Sequence, residues 1–113
     1  MKIAVTYENG QVFQHFGHTE QFKIYEAAEG KVVSARVVET GGSGHGALAG
    51  FLRGLGVDTL ICGGIGGGAR SALAEAGIQL YPGASGSADA QVEALLAGSL
   101  AYDPNTVCSH HDH

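Results

Sequence analysis

A chain of 113 residues with 44% hydrophobic content can bury one core and not two, so a single domain is expected. Eleven acids against six scattered bases give a net charge of -5 and no basic stripe to neutralise a phosphate backbone, which argues against a nucleic-acid partner. No apolar stretch approaches a membrane span and the opening MKIAVTYENG has neither a signal-peptide core nor a cleavage site, so a soluble, cytoplasmic protein without membrane attachment is expected.

Along the chain, Ile3, Ala4 and Val5 form a short continuous apolar run that suits a strand buried on both faces. QFKIYEAAEGKVVSARVVE then alternates. Phe22 and Ile24 lie before a turn at Glu29-Gly30, and Val33, Ala35 and Val37 after it, which predicts a hairpin. From Gly41 the period becomes helical through Leu48, Phe51, Leu52 and Leu55, with Gly56 as the stop. VDTLICGG predicts a second buried strand, followed by a glycine turn and a helix carrying Ala69, Leu73 and Ala76 up to Gly77. IQLYPG and the run Ala88, Val92, Leu95, Leu96 repeat that unit, with Ser87 as N-cap and Asp89 in the first turn. After Gly98 the periodicity stops, leaving residues 99–113 as an irregular tail behind a domain of residues 1–98. Together these elements predict an α/β fold, a mixed five-stranded sheet with helices on both faces. Its ligand crevice should open at the carboxyl ends of the parallel strands, among loops 7–21, 62–68 and 81–87.

Three groups of residues there could carry chemistry. His15 and His18 flank Gly17 at a spacing that lets two imidazoles reach one metal if the turn is tight. The alternative is one histidine capping a loop and the other solvated. His45 stands among glycines at a helix start, where free N–H groups favour an anion; a plain glycine-rich connection with His45 near the cap is equally open. CGGIGGGA, residues 62–69, has a dinucleotide-like glycine spacing, but it does not follow the first strand and the next strand ends at Tyr81-Pro82-Gly83 without an acid. Backbone N–H groups approaching some anionic ligand are the safer reading, with Cys62 as a small buried hydrophobe or, less often, a ligand.

The last six residues, CSHHDH, bring Cys108, His110, His111 and His113 close together as soft sulfur and imidazole donors for zinc, copper or an iron cluster. Asp112 and Cys108 interrupt what would be a histidine run in a purification tag. Two cysteines so far apart in a reducing compartment are expected as thiols. No nucleophile is paired with a base, and KIAVTY has no acid for two-metal hydrolysis, so a binding protein rather than an enzyme is expected.

MKIAVTYENGQVFQHFGHTEQFKIYE, GHGALAGFLRGLGVDTLICGGIGGGARSALAEAGIQLY and the CSHHDH ending, taken together, resemble the dinitrogenase iron-molybdenum cofactor biosynthesis family. This is the NifX-like group, which also supplies the C-terminal domain of NifB. The resemblance implies a ribonuclease H-like three-layer fold and binding of a preformed iron-sulfur or iron-molybdenum cluster carried between metallocofactor assembly proteins or to an acceptor apoprotein. It implies a cofactor site at His15, Phe16, Gly17, His45, Gly64, Ile65, Gly66 and Gly67, with His18 and the tail donors as further ligands. A link to nitrogen fixation follows from the family name, although small members also occur where nitrogen is not fixed. A runner-up function is a zinc, nickel or copper buffer or sensor acting through the tail, and a homodimer is left open for either.

Overall fold

The computed structural model describes residues 1–41 and 45–104, with backbone alone at residues 45 and 46. Among the described residues four strands are followed by three helices with a strand between each: β1 (Lys2–Glu8), β2 (Gln11–Val12), β3 (Gln21–Ala28), β4 (Lys31–Glu39), α1 (His45–Gly54), β5 (Thr59–Ile61), α2 (Gly67–Glu75), β6 (Gln79–Tyr81) and α3 (Ala88–Leu96). A 3-10 turn, Phe16–His18, stands between β2 and β3. The main sheet has the order β4-β3-β1-β5-β6, with β1, β5 and β6 parallel and β3 antiparallel to both its neighbours.

The expected five strands form that path, and the sixth corrects the count: β2 pairs antiparallel with β1 through Tyr7↔Val12 and Glu8↔Gln11. Its cause is local. Asn9 and Gly10 both take positive φ, 51° and 86°, the geometry of a two-residue hairpin whose twist matches its strands. Asn-Gly is the strongest short-range sign of that turn, so this element was readable from the sequence.

Alternation along the strands divides the core in two. Ala4, Phe22, Ile24, Leu60 and Cys62 face α1 and α2, whereas Ile3, Val5, Tyr25 and Ile61 face α3. Helices therefore cover both faces, and β1, lying between β3 and β5, buries Ile3 through Thr6 without a break. Each helix stops the same way: Gly56, Gly77 and Gly98 have φ near +78°, and the next residue's N–H reaches back to Leu52, Leu73 and Ala94. None of the described helices is long and apolar enough to cross a membrane.

On the α3 face, one polar link ties helix to sheet. Asp89, in the first turn of α3, accepts from the Tyr25 hydroxyl at 2.6 Å and from Lys23 Nζ at 2.9 Å, and Lys23 also stands over the Tyr25 ring. The bond from Tyr25, then that from Lys23, holds the Asp89 carboxyl below the usual carboxylate range, while burial, then Asp89, pushes the Tyr25 phenol upward. A carboxylate depressed in the fold stabilises it above the ordinary value near 4 and loses that contribution as pH falls through its folded value. A raised phenol contributes below about pH 10 and loses it as pH rises beyond. Thermal unfolding of wild type and Asp89→Asn should differ by a constant amount across the neutral range, and the difference should shrink below about pH 4. A difference that persists undiminished into strong acid would show that this link does not titrate.

Candidate functional site

The site is built where two loops are zipped together at the carboxyl ends of β1 and β5. Gly64 N–H donates to Gln14 O at 2.7 Å, Phe16 N–H donates back to Gly64 O at 3.0 Å, and His15 and Gly64 form a parallel bridge between them. Phe16 and Ile65, each fully buried, pin the two loops from below, so their side chains belong to the core and only their backbone faces the site. Cys62 is likewise fully buried in that core, which matches the expectation of a small hydrophobe.

His15 is half-buried, with its Nδ1 turned inside. His18, exposed at the end of the 3-10 turn, stacks edge-on to it with ring centroids 6.4 Å apart. Two imidazoles on one tetrahedral metal have centroids about 5 Å apart, given nitrogen–metal distances near 2.0 Å. The observed separation is about 1.4 Å wider, so both rings would have to turn to share an ion. Among the described residues no three His, Cys, Asp or Glu side chains converge on a metal position. His18 also lines a cleft of about 280 Å³ with Tyr7, Glu8, Asn9, Phe13, Glu20 and Gln21, whose two carboxylates make it hospitable to cations.

The glycine loop has a different character. None of residues 63–68 takes a positive φ, so backbone conformation does not demand glycine there. Gly63 has a packing reason: a Cβ at this position would lie 2.6 Å from Gln14 Cα. At Gly67 and Gly68 a Cβ would meet nothing within 4 Å. Those two open the first turn of α2, whose N-cap Gly66 offers no side-chain bond and whose first turn has no acid. The result is an open patch of helix N-terminal N–H groups beside His15, suited to a negatively charged ligand.

His45 begins α1, and its backbone can be placed. Lys2 Nζ donates to Leu55 O and Asp58 N–H to Lys2 O, which puts the far end of α1 at the start of β1. The helix therefore begins at the carboxyl end of the strands, and it packs against the 3-10 turn that carries His18. Cys108, His110, His111 and His113 lie outside the described residues. The chain as far as Pro104 does not. Tyr102 packs edge-on against Tyr81 at 4.9 Å, Asp103 N–H donates to Pro82 O, and Arg70 Nη1 donates to Pro104 O at 2.8 Å. Gln14 and Gly63, which set the spacing of the two loops, have no sequence signature that pairs them.

Comparison with known proteins agrees with this architecture. The family model described as dinitrogenase iron-molybdenum cofactor matches residues 1–98. The uncharacterized protein MJ0580 of Methanocaldococcus jannaschii is 32% identical over 105 residues, covering 88% of this chain and 89% of its own. The FeMo cofactor biosynthesis protein NifB of Sinorhizobium fredii is 40% identical over 87 residues, which is 70% of this chain but only 18% of NifB. Among solved structures, the apo form of the orange protein from Desulfovibrio gigas superposes with a TM-score of 0.81 at 28% identity, over 95% of this chain and 96% of that one. A family pattern met across residues 1–98, on a fold shared with solved relatives, makes this chain a member of the dinitrogenase iron-molybdenum cofactor family, the NifX-like and NifB-related group.

Proposed function

We propose that the protein binds and carries a preformed iron-sulfur or iron-molybdenum cluster and hands it to assembly proteins or an acceptor apoprotein, without catalysing a reaction itself. The observation that carries this reading is a half-buried imidazole bridged to a loop whose glycines at 67 and 68 answer to no conformational or packing need. Such a loop admits a bulky anion, its N–H groups face the sulfides, and His15 with His18 supplies ligation able to let go. Membership in a family named for the iron-molybdenum cofactor supports the choice of cargo, and the order β4-β3-β1-β5-β6, with β3 the one antiparallel strand along it, supports the ribonuclease H-like label.

The anchored approach to the tail supports its role as an auxiliary arm. Asp103 touches Gly83, Gly83 N–H bonds Gly63 O, and Gly63 abuts Gln14 beside His15. At roughly 5 Å per backbone step, that stack is on the order of 15 Å deep. Four residues separate Asp103 from Cys108, and the five steps between them extend to about 17 Å, so its thiol is within reach of His15. The acidic cleft beside His18 favours a second reading, a metal-ion buffer using the tail, and deletion of residues 108–113 separates them. A buffer loses its metal; a crevice carrier keeps most of its cluster.

The test is metal and sulfide analysis with an absorption spectrum, on tagless protein kept from oxygen and offered an iron-sulfur or iron-molybdenum cluster. Stoichiometric iron and sulfide with charge-transfer bands, lowered in His15→Ala, is the expected result. A colourless protein holding only zinc or nickel, or full retention by His15→Ala, would overturn the carrier reading or this ligand.

A further inference from the structure

Beside the His15 loop, the cleft at the same end of the sheet has a chemistry that cluster binding does not use. It measures about 280 Å³, lies between the carboxyl end of β1 and the start of β3, and has Tyr7, Glu8, Phe13, His18 and Glu20 on its walls. Tyr7 and Phe13 bring flat aromatic surface, and Glu8 and Glu20 bring negative charge. Neither of these carboxylates has a hydrogen bond or ion pair among the described residues. The cation over Tyr7, Lys23 Nζ at 5.7 Å from the ring centre, is bound to Asp89 at 2.9 Å.

Size and spacing decide what fits. The two acids do not converge with His18 on one metal position, so a bare divalent ion finds no compact ligand set in the described walls. Pockets that enclose drug-sized molecules run from about 300 to 1,000 Å³, which puts this cleft at the scale of one long side chain. A planar guanidinium suits such walls: it stacks on aromatic faces, and its five N–H donors reach separate carboxylates, where an ammonium acts as a point charge.

We propose that the cleft receives an arginine side chain presented by the acceptor protein. The identity of that partner rests on the carrier reading above. His18 belongs both to the cleft and to the imidazole pair, and Phe13 packs edge-on against His15 at 6.1 Å. An arginine seated there therefore sets the acceptor directly beside the proposed cargo ligands. Cargo passes across a face that its receiver touches, and a chain of net charge -5 with two uncompensated carboxylates at that face is complementary to a basic partner.

NMR titration of the full chain without cluster, using N-acetyl-arginine amide, tests the cleft apart from the cargo. Saturable shifts centred on Tyr7, Phe13 and His18 are expected. Binding should weaken by about threefold in Glu8→Gln or Glu20→Gln and by about twofold in Phe13→Leu, with amide dispersion confirming that each variant is folded. The citrulline analogue, similar in shape but uncharged, should leave the spectrum unchanged. Shifts that never saturate or scatter over the surface, equal binding of the citrulline analogue, or indifference to both glutamate variants would each overturn the site. Free arginine binding more tightly than its blocked form would make the cleft an amino-acid pocket and overturn the docking role. A protein that retains iron and sulfide but ignores the arginine amide loses this proposal alone; one that binds the amide but holds no cluster loses the carrier reading and keeps the arginine site.

Discussion

Replacing Phe16 by alanine is expected to cost about 3–5 kcal/mol of stability, the usual range for emptying a buried aromatic site. Phe16 is fully buried and packs against Phe22 with ring centroids 6.1 Å apart. Its backbone is also part of the site, since its N–H holds Gly64 and its carbonyl accepts from Thr19 N–H at 3.3 Å. The cavity would open directly under His15. Urea unfolding should show a lower midpoint, and cluster retention should fall even under conditions where the variant is folded. Phe16→Leu, which refills much of the volume, should recover most of both. A loss below about 1 kcal/mol for the alanine variant would mean that this ring is not the packed floor of the site.

Gly63→Ala and Gly68→Ala should move stability in opposite directions, although both add one methyl to the same run of glycines. At Gly63 the new Cβ would lie 2.6 Å from Gln14 Cα and 2.7 Å from its side chain, and a backbone neighbour cannot step aside cheaply. Forcing the two loops apart should cost about 1–3 kcal/mol and loosen the Gly64–Gln14 hydrogen bond that fixes His15. At Gly68 the Cβ enters open space on a helix, so the variant should gain up to about 1 kcal/mol from reduced chain entropy. Its cluster retention should nevertheless fall, because the methyl occupies the ground proposed for the cargo. Unfolding curves paired with iron and sulfide content check both claims. A Gly68→Ala protein that is more stable and binds as well as wild type would remove the ligand from the α2 N-terminus.

Much of the fold is legible in local chemistry. The unbroken apolar run at Ile3–Val5 marks a strand covered on both faces, and the three Gly stops mark the helix ends by the left-handed residue each needs. Ser87 is the N-cap that its position before Ala88 suggests, accepting from Ala90 N–H at 3.2 Å. The alternation in β4 is a poorer guide. Val33 and Val37 have the same pattern as a buried strand, yet they stand exposed because β4 has a neighbour on one side only. Periodicity reports which residues share a face; it does not report whether anything lies over that face.

The candidate site divides along the same line. Its residue types, an imidazole pair around Gly17 and a glycine run after a buried strand, are set by the sequence and by what those groups can bind. Which glycines make room for a neighbour and which make room for a ligand was decided by tertiary contact: Gly63 faces Gln14 across 49 positions of chain, whereas Gly67 and Gly68 face open space. Likewise Phe16 and Ile65, read with the site, turn inward as its floor. Local propensity and hydrophobic period act over a few residues, so one strand's worth of sequence can specify them. A crevice is the relation between loops brought together by a sheet, and only the folded chain fixes that distance.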